Sequence, residues 1–222
     1  MSKKYDSKKS IQTILTVSTK LFLEKGFDKT SMQDIATSAN MSKGAIYHHF
    51  KSKEEIINKV MELQSKSVEE NLDSWIKGMK NISSKEKLIN ILEKNLADQQ
   101  AHSLDDILST RTKSPEFVVS YMHSCISKSA PVFSQIIQEG NNDGSIKTDY
   151  PDECAEVFFL LIIIWCDSSI FECSAEKLEK RLKFLQSMMK MMEVDIVSNE
   201  LILKTKELLQ NLYYKNGEKN EQ

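Results

Sequence analysis

Apolar residues recur at helical spacing along most of the 222-residue chain, and no apolar–polar alternation lasts long enough to specify a strand. Ile11, Ile14, Leu15, Leu21 and Phe22 share a helical face, and Gly26 follows where a left-handed residue would stop the helix, so a first helix is expected over residues 8–25. Ser31 precedes Met32, Ile35 and Ala36, with Asp34 three residues on; this reads as a capping box opening a second helix of about two turns, which Asn40 interrupts. Ser42 caps a third short helix carrying Ala45, Ile46 and Phe50. Ser52 with Glu55 opens a longer fourth one through Ile56, Ile57, Val60, Met61 and Leu63.

The helical pattern continues to the end. "SSKEKLINILEKNLADQQ" carries a cap at Ser83 or Ser84, a short segment lies about Leu104 to Leu108, and Ser114 with Pro115 opens a further helix. Pro131 is expected to kink or break that helix, because it lacks an N–H and crowds the preceding turn. "IIQEGNNDGSI" is a stop; helices are then expected over residues 151–171, 175–193 and 199–214, with residues 217–222 as a frayed polar tail. The fold class is all-α. An N-terminal three-helix domain over residues 1–55, containing a helix-turn-helix, is followed by a helical domain over 56–216.

Six glycines and three prolines are too few for a turn-rich all-β protein. The four cysteines, Cys125, Cys154, Cys166 and Cys173, contain no C-x-x-C pair and sit in apolar-periodic segments, which points to reduced thiols and a reducing, cytoplasmic setting. No secretory leader is visible at the N-terminus. The most apolar run, Val157 to Cys166, is about half the length a bilayer requires, so no membrane partner is expected.

Net charge is −2 overall, yet residues 1–60 hold eleven lysines and no arginine against six acids, a balance of +5 that leaves −7 on the remaining 162 residues. A basic head on an acidic body suits a module that meets a polyanion.

A helix, a tight turn and a second helix within residues 31–50 form the geometry that presents the second helix to the major groove of double-stranded DNA. Base readout would fall near its start, on Ser42, Lys43, Gly44, Ala45, Tyr47 and His48. Lys43 can donate to guanine acceptors or phosphate, and Ala45 can meet a thymine methyl. Gly44 costs about 1 kcal/mol of helix stability, which makes sense where backbone and bases approach closely. Tyr47, His48, Thr30, Ser31 and Lys53 are placed to donate to phosphate oxygens. The adjacent His48 and His49 point about 100° apart on a helix, so no metal is expected there.

The stretch "LFLEKGFDKTSMQDIATSANMSKGAIYHHFKSKEEI" resembles the DNA-binding domain of the TetR family of bacterial transcriptional repressors, whose hallmark is the run here written "SKGAIYHHFKSKEE". The resemblance covers about residues 10–60. It departs from the family at Asn40, where glycine is usual. It implies a base-reading helix over Ser42 to Phe50, phosphate contacts from Thr30, Tyr47, His48 and Lys53, and core roles for Phe22, Ile35, Ile46 and Phe50. It further implies that the C-terminal domain binds a small molecule and pairs two chains into a homodimer.

The body offers material for both roles. "CAEVFFLLIIIWC" is apolar on nearly every side, and the following helix carries a wide stripe, so the dimer interface is expected on Phe158, Leu161, Ile162, Trp165, Leu178, Leu182, Leu185 and Met189. Trp75, His102, Arg111, Tyr121, His123, Phe133 and Trp165 are candidates to line a pocket for an apolar or amphipathic effector. Asp98, His102 and Asp105 or Asp106 lie at helix-turn spacing, but a solvated helix end suits them better than a metal, and no cofactor is expected. No nucleophile elbow, phosphate loop or metal-spaced cluster is present, which argues against an enzyme. The expectation is a ligand-responsive repressor on near-palindromic operator DNA. The alternative is a helical redox sensor or enzyme using the cysteines and histidines of the body, Cys166 and Cys173 lying seven residues apart.

Overall fold

The computed structural model describes residues 7–98, 102, 104–112 and 114–208, with side chains at all of these except 106 and 110. Its helices are α1 (Ser7–Lys25), α2 (Met32–Ser38), α3 (Lys43–His49), α4 (Lys53–Gly78), α5 (Ser84–Ala97), α6 (Asp105–Arg111), α7 (Pro115–Ser124), α8 (Ala130–Asp143), α9 (Pro151–Phe159) and α10 (Ala175–Met191). A further helix, α11, covers residues 199–208, and the described residues contain no strand. The stretch expected to carry that helix on to residue 214, and the tail 217–222, lie outside the described residues. The chain divides into two compact units, one running to Asn71 and the other beginning at Leu72, so α4 contributes to both.

In the first unit the apolar faces of four helices converge. Ile14, Leu15, Leu21 and Phe22 of α1, Phe27, Ile35 and Ala36, Ile46 and Phe50, and Ile56 and Ile57 of α4 are all buried. Phe22 and Phe27 pack with ring centroids 5.0 Å apart. Gly26, at φ 86°, ends α1 and donates its N–H to the Phe22 carbonyl at 3.0 Å. The core residues named from the family resemblance, Phe22, Ile35, Ile46 and Phe50, all lie in this core.

The core of the second unit is built from α5, α8, α9, α10 and α11: Leu88 and Ile91, Phe133, Ile136 and Ile137, Cys154 and Phe158, Leu178, Leu182, Leu185 and Met189, Leu201 and Ile202. After α8 the chain turns so tightly that a Cβ on Gly140 would stand 2.8 Å from Ile146 Cδ1, which is why only glycine fits there.

Pro131 neither breaks the helix nor leaves it regular. α7 passes through a π-helical turn, Cys125–Ser129, straight into α8, and the Ala130 N–H reaches five residues back to the Cys125 carbonyl. The wider turn accommodates a proline that has no N–H for the carbonyl four residues before it. The helix expected over 151–171 is shorter: α9 gives way to a π-helical segment, Leu160–Trp165, closed by the Cys166 N–H bonding the Leu161 carbonyl at 2.8 Å. Asp167 then accepts the N–H of Ser169 at 2.7 Å and its hydroxyl at 2.6 Å, a local bond that competes with helix continuation. No helix among the described residues is long and apolar enough to cross a membrane.

Candidate nucleic-acid interface

The α2–turn–α3 segment is fixed by caps at each junction. The Ser31 hydroxyl accepts the Asp34 N–H at 3.1 Å while the Asp34 carboxylate accepts the Ser31 N–H at 2.9 Å, a reciprocal capping box. Its bonds from the Ser31 hydroxyl and N–H, reinforced by Lys25, hold the Asp34 carboxyl down at about 2. Lys25 Nζ, 3.3 Å from that carboxylate, ties the end of α1 to the start of α2. Asn40 turns the chain with φ 52°, after which the Met41 N–H bonds the Ala36 carbonyl at 3.0 Å. Ser42 then caps α3 through the Ala45 N–H at 3.2 Å.

These caps make α3 only seven residues long, with one buried apolar side chain, Ile46, anchoring it. Ser42, Lys43, Gly44, Tyr47 and His48 all face solvent, and Ala45 is half-buried. Lys43 Nζ lies 5.8 Å from the centroid of the Tyr47 ring, and among the described residues no carboxylate pairs with it. Tyr47 is 37% exposed, a large aromatic surface left uncovered on a helix that has a core side available. No heavy atom lies within 4 Å of a Cβ placed on Gly44. This face offers a cation, a phenol, an imidazole and an open backbone at the start of a short helix, a set suited to base edges and phosphates.

Two expected phosphate contacts have other duties. Thr30 is buried, and its hydroxyl donates to the Gly26 carbonyl at 2.8 Å, so it closes the end of α1 rather than facing outward. Lys53 lays its ammonium on the Phe27 and Asp28 carbonyls, at 2.8 and 3.2 Å, and over the Phe27 ring at 4.5 Å. It bridges α4 to the loop after α1, because the carbonyls left open at that helix end attract a cation. Ser31 is exposed but serves first as the α2 cap. Of the box expected between Ser52 and Glu55, the Ser52 hydroxyl accepts the Glu55 N–H at 3.3 Å, while the Glu55 carboxylate accepts the Lys51 N–H at 2.6 Å, and Lys51 Nζ bonds the Tyr47 carbonyl at 3.1 Å. Lys51 was not singled out from sequence, since its role depends on where α3 ends.

In the second unit the pocket candidates do not form one group. His102 Nδ1 stands 2.7 Å from Asp105 and its Nε2 3.0 Å from the Asn95 carbonyl. The Asp105 bond raises the His102 pKa, with burial opposing. Tyr121 stacks on Phe117 at 6.0 Å, and the Arg111 guanidinium lies 5.2 Å over the other ring, Phe117. Burial pushes the Tyr121 phenol upward, with Cys125, Asp105 and Asp167 adding to the shift, so His102, Tyr121 and Arg111 belong to one neighbourhood around α6 and α7. Phe133 is instead buried against Phe158 and Phe159, Trp165 packs on Phe184 at 5.8 Å, Trp75 lies beneath Lys94, and His123 is exposed. No cluster of described residues could hold a metal.

The residues expected at an interface differ in exposure. Phe158, Leu178, Leu182, Leu185 and Met189 are buried in the core of their own chain, which leaves them little surface to offer a second copy. The α10 stripe points inward because α9 and α11 cover it, and the outward face carries different residues: Phe184 at 54% exposure and Met191 at 75%, with Met188 between them. Leu161, Ile162 and Trp165 pack on the core while remaining half-exposed.

Residues 14–60 match the family model described as bacterial regulatory proteins, tetR family, and residues 103–188 match a tetracyclin repressor-like C-terminal domain. The transcriptional regulator AcrR of Shigella flexneri is 30% identical over 108 residues, 47% of this chain and 50% of that protein. The transcriptional repressor KstR2 of Mycolicibacterium smegmatis is 40% identical over 48 residues, 22% of this chain and 23% of that one. The chain thus spans half the length of the first of these relatives and about a quarter of the second. A TetR-family transcriptional regulator from Pectobacterium atrosepticum shares the fold with a TM-score of 0.62 at 18% identity, over 86% of this chain and 97% of that one. A transcriptional regulator from Cytophaga hutchinsonii gives 0.60 at 18% identity, over 90% and 93%.

Proposed function

The chain belongs to the TetR family of bacterial regulatory proteins, and from that premise we propose that it is a ligand-responsive transcriptional repressor. It binds a near-palindromic operator as a homodimer and leaves it when a small apolar or amphipathic molecule enters the second unit. The observation that carries this reading is the outward face of α3, where Lys43, Gly44, Tyr47 and His48 face solvent. Lys43 and Tyr47 donate to bases or phosphates, and Gly44 lets the backbone approach.

Two copies of α3 on one operator must sit about one helical turn of DNA apart, roughly 34 Å. Leu161, Ile162 and Trp165, with Phe184, Met188 and Met191 of α10, form the apolar face suited to pairing two chains. The effector enters around α6 and α7, where Phe117 and Tyr121 give apolar surface and His102 and Arg111 give polar anchors. Release follows if the effector prefers a conformation in which the two α3 helices are misplaced for the grooves, and α4, which contributes to both units, carries that change.

The test is a titration of operator DNA at several salt concentrations. Affinity falls steeply with salt, and Lys43→Ala and Tyr47→Ala each weaken binding at least about tenfold with helicity unchanged. Lys43→Ala also flattens the salt slope by about one ion if its contact is a phosphate. Parent-like binding by both variants would refute the contact assignment.

A further inference from the structure

We propose that His102 is a proton-operated clasp between α5 and α6, closed while both ring nitrogens carry a proton and loosened when one is given up. Its Nδ1 stands 2.7 Å from the Asp105 carboxylate at the start of α6, and its Nε2 3.0 Å from the Asn95 carbonyl in the last turn of α5. A carboxylate and a carbonyl both accept. Two donating nitrogens are therefore needed, and only the imidazolium has them, since a neutral imidazole carries a single N–H. The main chain repeats the attachment: the His102 N–H bonds the Asp98 carbonyl at 3.3 Å, and the His102 carbonyl accepts the Asp105 N–H at 3.2 Å.

The charges around the ring favour the same form. The Asp105 bond raises the His102 pKa against the opposing effect of burial, and the Asn95 carbonyl and the Asp98 charge at the end of α5 add to the rise. A cation is also favoured where a helix ends. Two neighbouring cations on these helices are placed elsewhere, Lys94 5.9 Å over the Trp75 ring and Arg111 5.2 Å over Phe117. The side chains of His102 and Asp105 are only 22% and 21% exposed, so water screens the pair in part.

Because the folded value lies above the ordinary 6.5, the clasp contributes fully below that pH and is lost as pH rises through the raised value. A departing proton has two effects. One of the two contacts is given up, which frees the end of α5 from the start of α6, and Asp105 keeps its charge without a counter-charge. That charge acts on the Tyr121 phenol of α7 and on Asp167, whose carboxyl burial already raises, with Ser169 opposing and Asp105 adding to the rise. Two half-buried carboxylates then repel each other, which shifts the start of α6 relative to the segment after Trp165. Only the consequence for ligand entry rests on the effector reading above.

The ring protons of His102 are followed by NMR from about pH 5 to about pH 9.5, in the folded chain and in urea, with amide hydrogen exchange corrected for its intrinsic pH dependence. The expected titration midpoint is higher in the folded chain by at least about half a pH unit, and Asp105→Asn removes that difference. Protection of the His102 and Asp105 amides falls at least about threefold from about pH 6 to about pH 9, and in His102→Gln the residue 105 amide shows no such fall. A folded midpoint at or below the unfolded one, a folded Asp105→Asn chain titrating like the parent, or parent protection independent of pH would each overturn the proposal. Should Asp105→Asn not fold, the folded-against-urea comparison still decides. Binding of phenylnaphthylamine, a neutral apolar fluorophore, is scored separately, and its affinity is expected to change at least about threefold over the same pH range in the parent and not in His102→Gln. A probe bound equally at both pH values while the clasp titrates counts against the effector site around α6 and α7 and not against the clasp.

Discussion

A Cβ on Gly44 would meet no heavy atom within 4 Å, so nothing in the chain requires glycine there, whereas at Gly140 the Ile146 side chain excludes any other residue. The helix cost of Gly44, up to about 1 kcal/mol relative to alanine, is therefore not explained by packing within the chain, and the proposed close approach to DNA would account for it. Gly44→Ala is expected to raise the unfolding free energy by up to about 1 kcal/mol in urea titration while weakening operator binding; a variant that is more stable and binds as well as the parent would deny the close approach. Residue type alone did not show what Thr30 and Lys53 bond within the chain. Both are donors at the edge of the helix pair, and both are drawn instead to carbonyls left open at the end of α1. A donor's type says that it needs an acceptor, and only the packing says which one is nearest.

Among the elements, the pair α2–α3 depends on a single left-handed residue. Asn40 at φ 52° allows the chain to reverse after α2, and a residue with an ordinary side chain pays about 1–2 kcal/mol there. Asn40→Ala is accordingly expected to lower the urea midpoint by that amount, while Asn40→Gly leaves it within a few tenths of a kcal/mol. Equal loss in both would place the cost in the Asn40 side chain and not in the backbone. The two π-helical segments show the opposite case, elements whose bounds no local signal announces. Pro131 marks trouble, but whether the chain breaks or widens depends on the neighbours of α8; the end of the segment after α9 is set by Asp167 and Ser169 and by Arg181 ten or more residues on.

For the whole molecule, the proposed function depends on pairing, because one α3 spans only one groove. Phe184→Glu is expected to convert a dimer of twice 25.5 kDa to a single chain in light scattering, with helicity unchanged and operator affinity down at least tenfold. Leu185→Ala, one position along but buried, instead costs about 2–5 kcal/mol of stability and leaves the mass as it is. A monomeric parent would remove the pairing reading altogether. The sequence alone determined the all-α class, the caps that start α2, α3, α5 and α7, the left-handed stops at Gly26 and Asn40, and the identity of the outward α3 side chains. Those are local matters, settled by which side chain can reach a backbone group three or four residues away. Tertiary structure alone decided which apolar face of α10 turns inward and that Thr30 and Lys53 bond carbonyls. Periodicity can show that a helix has a wide apolar stripe, but the choice of face is made by helices distant in sequence, competing to cover it.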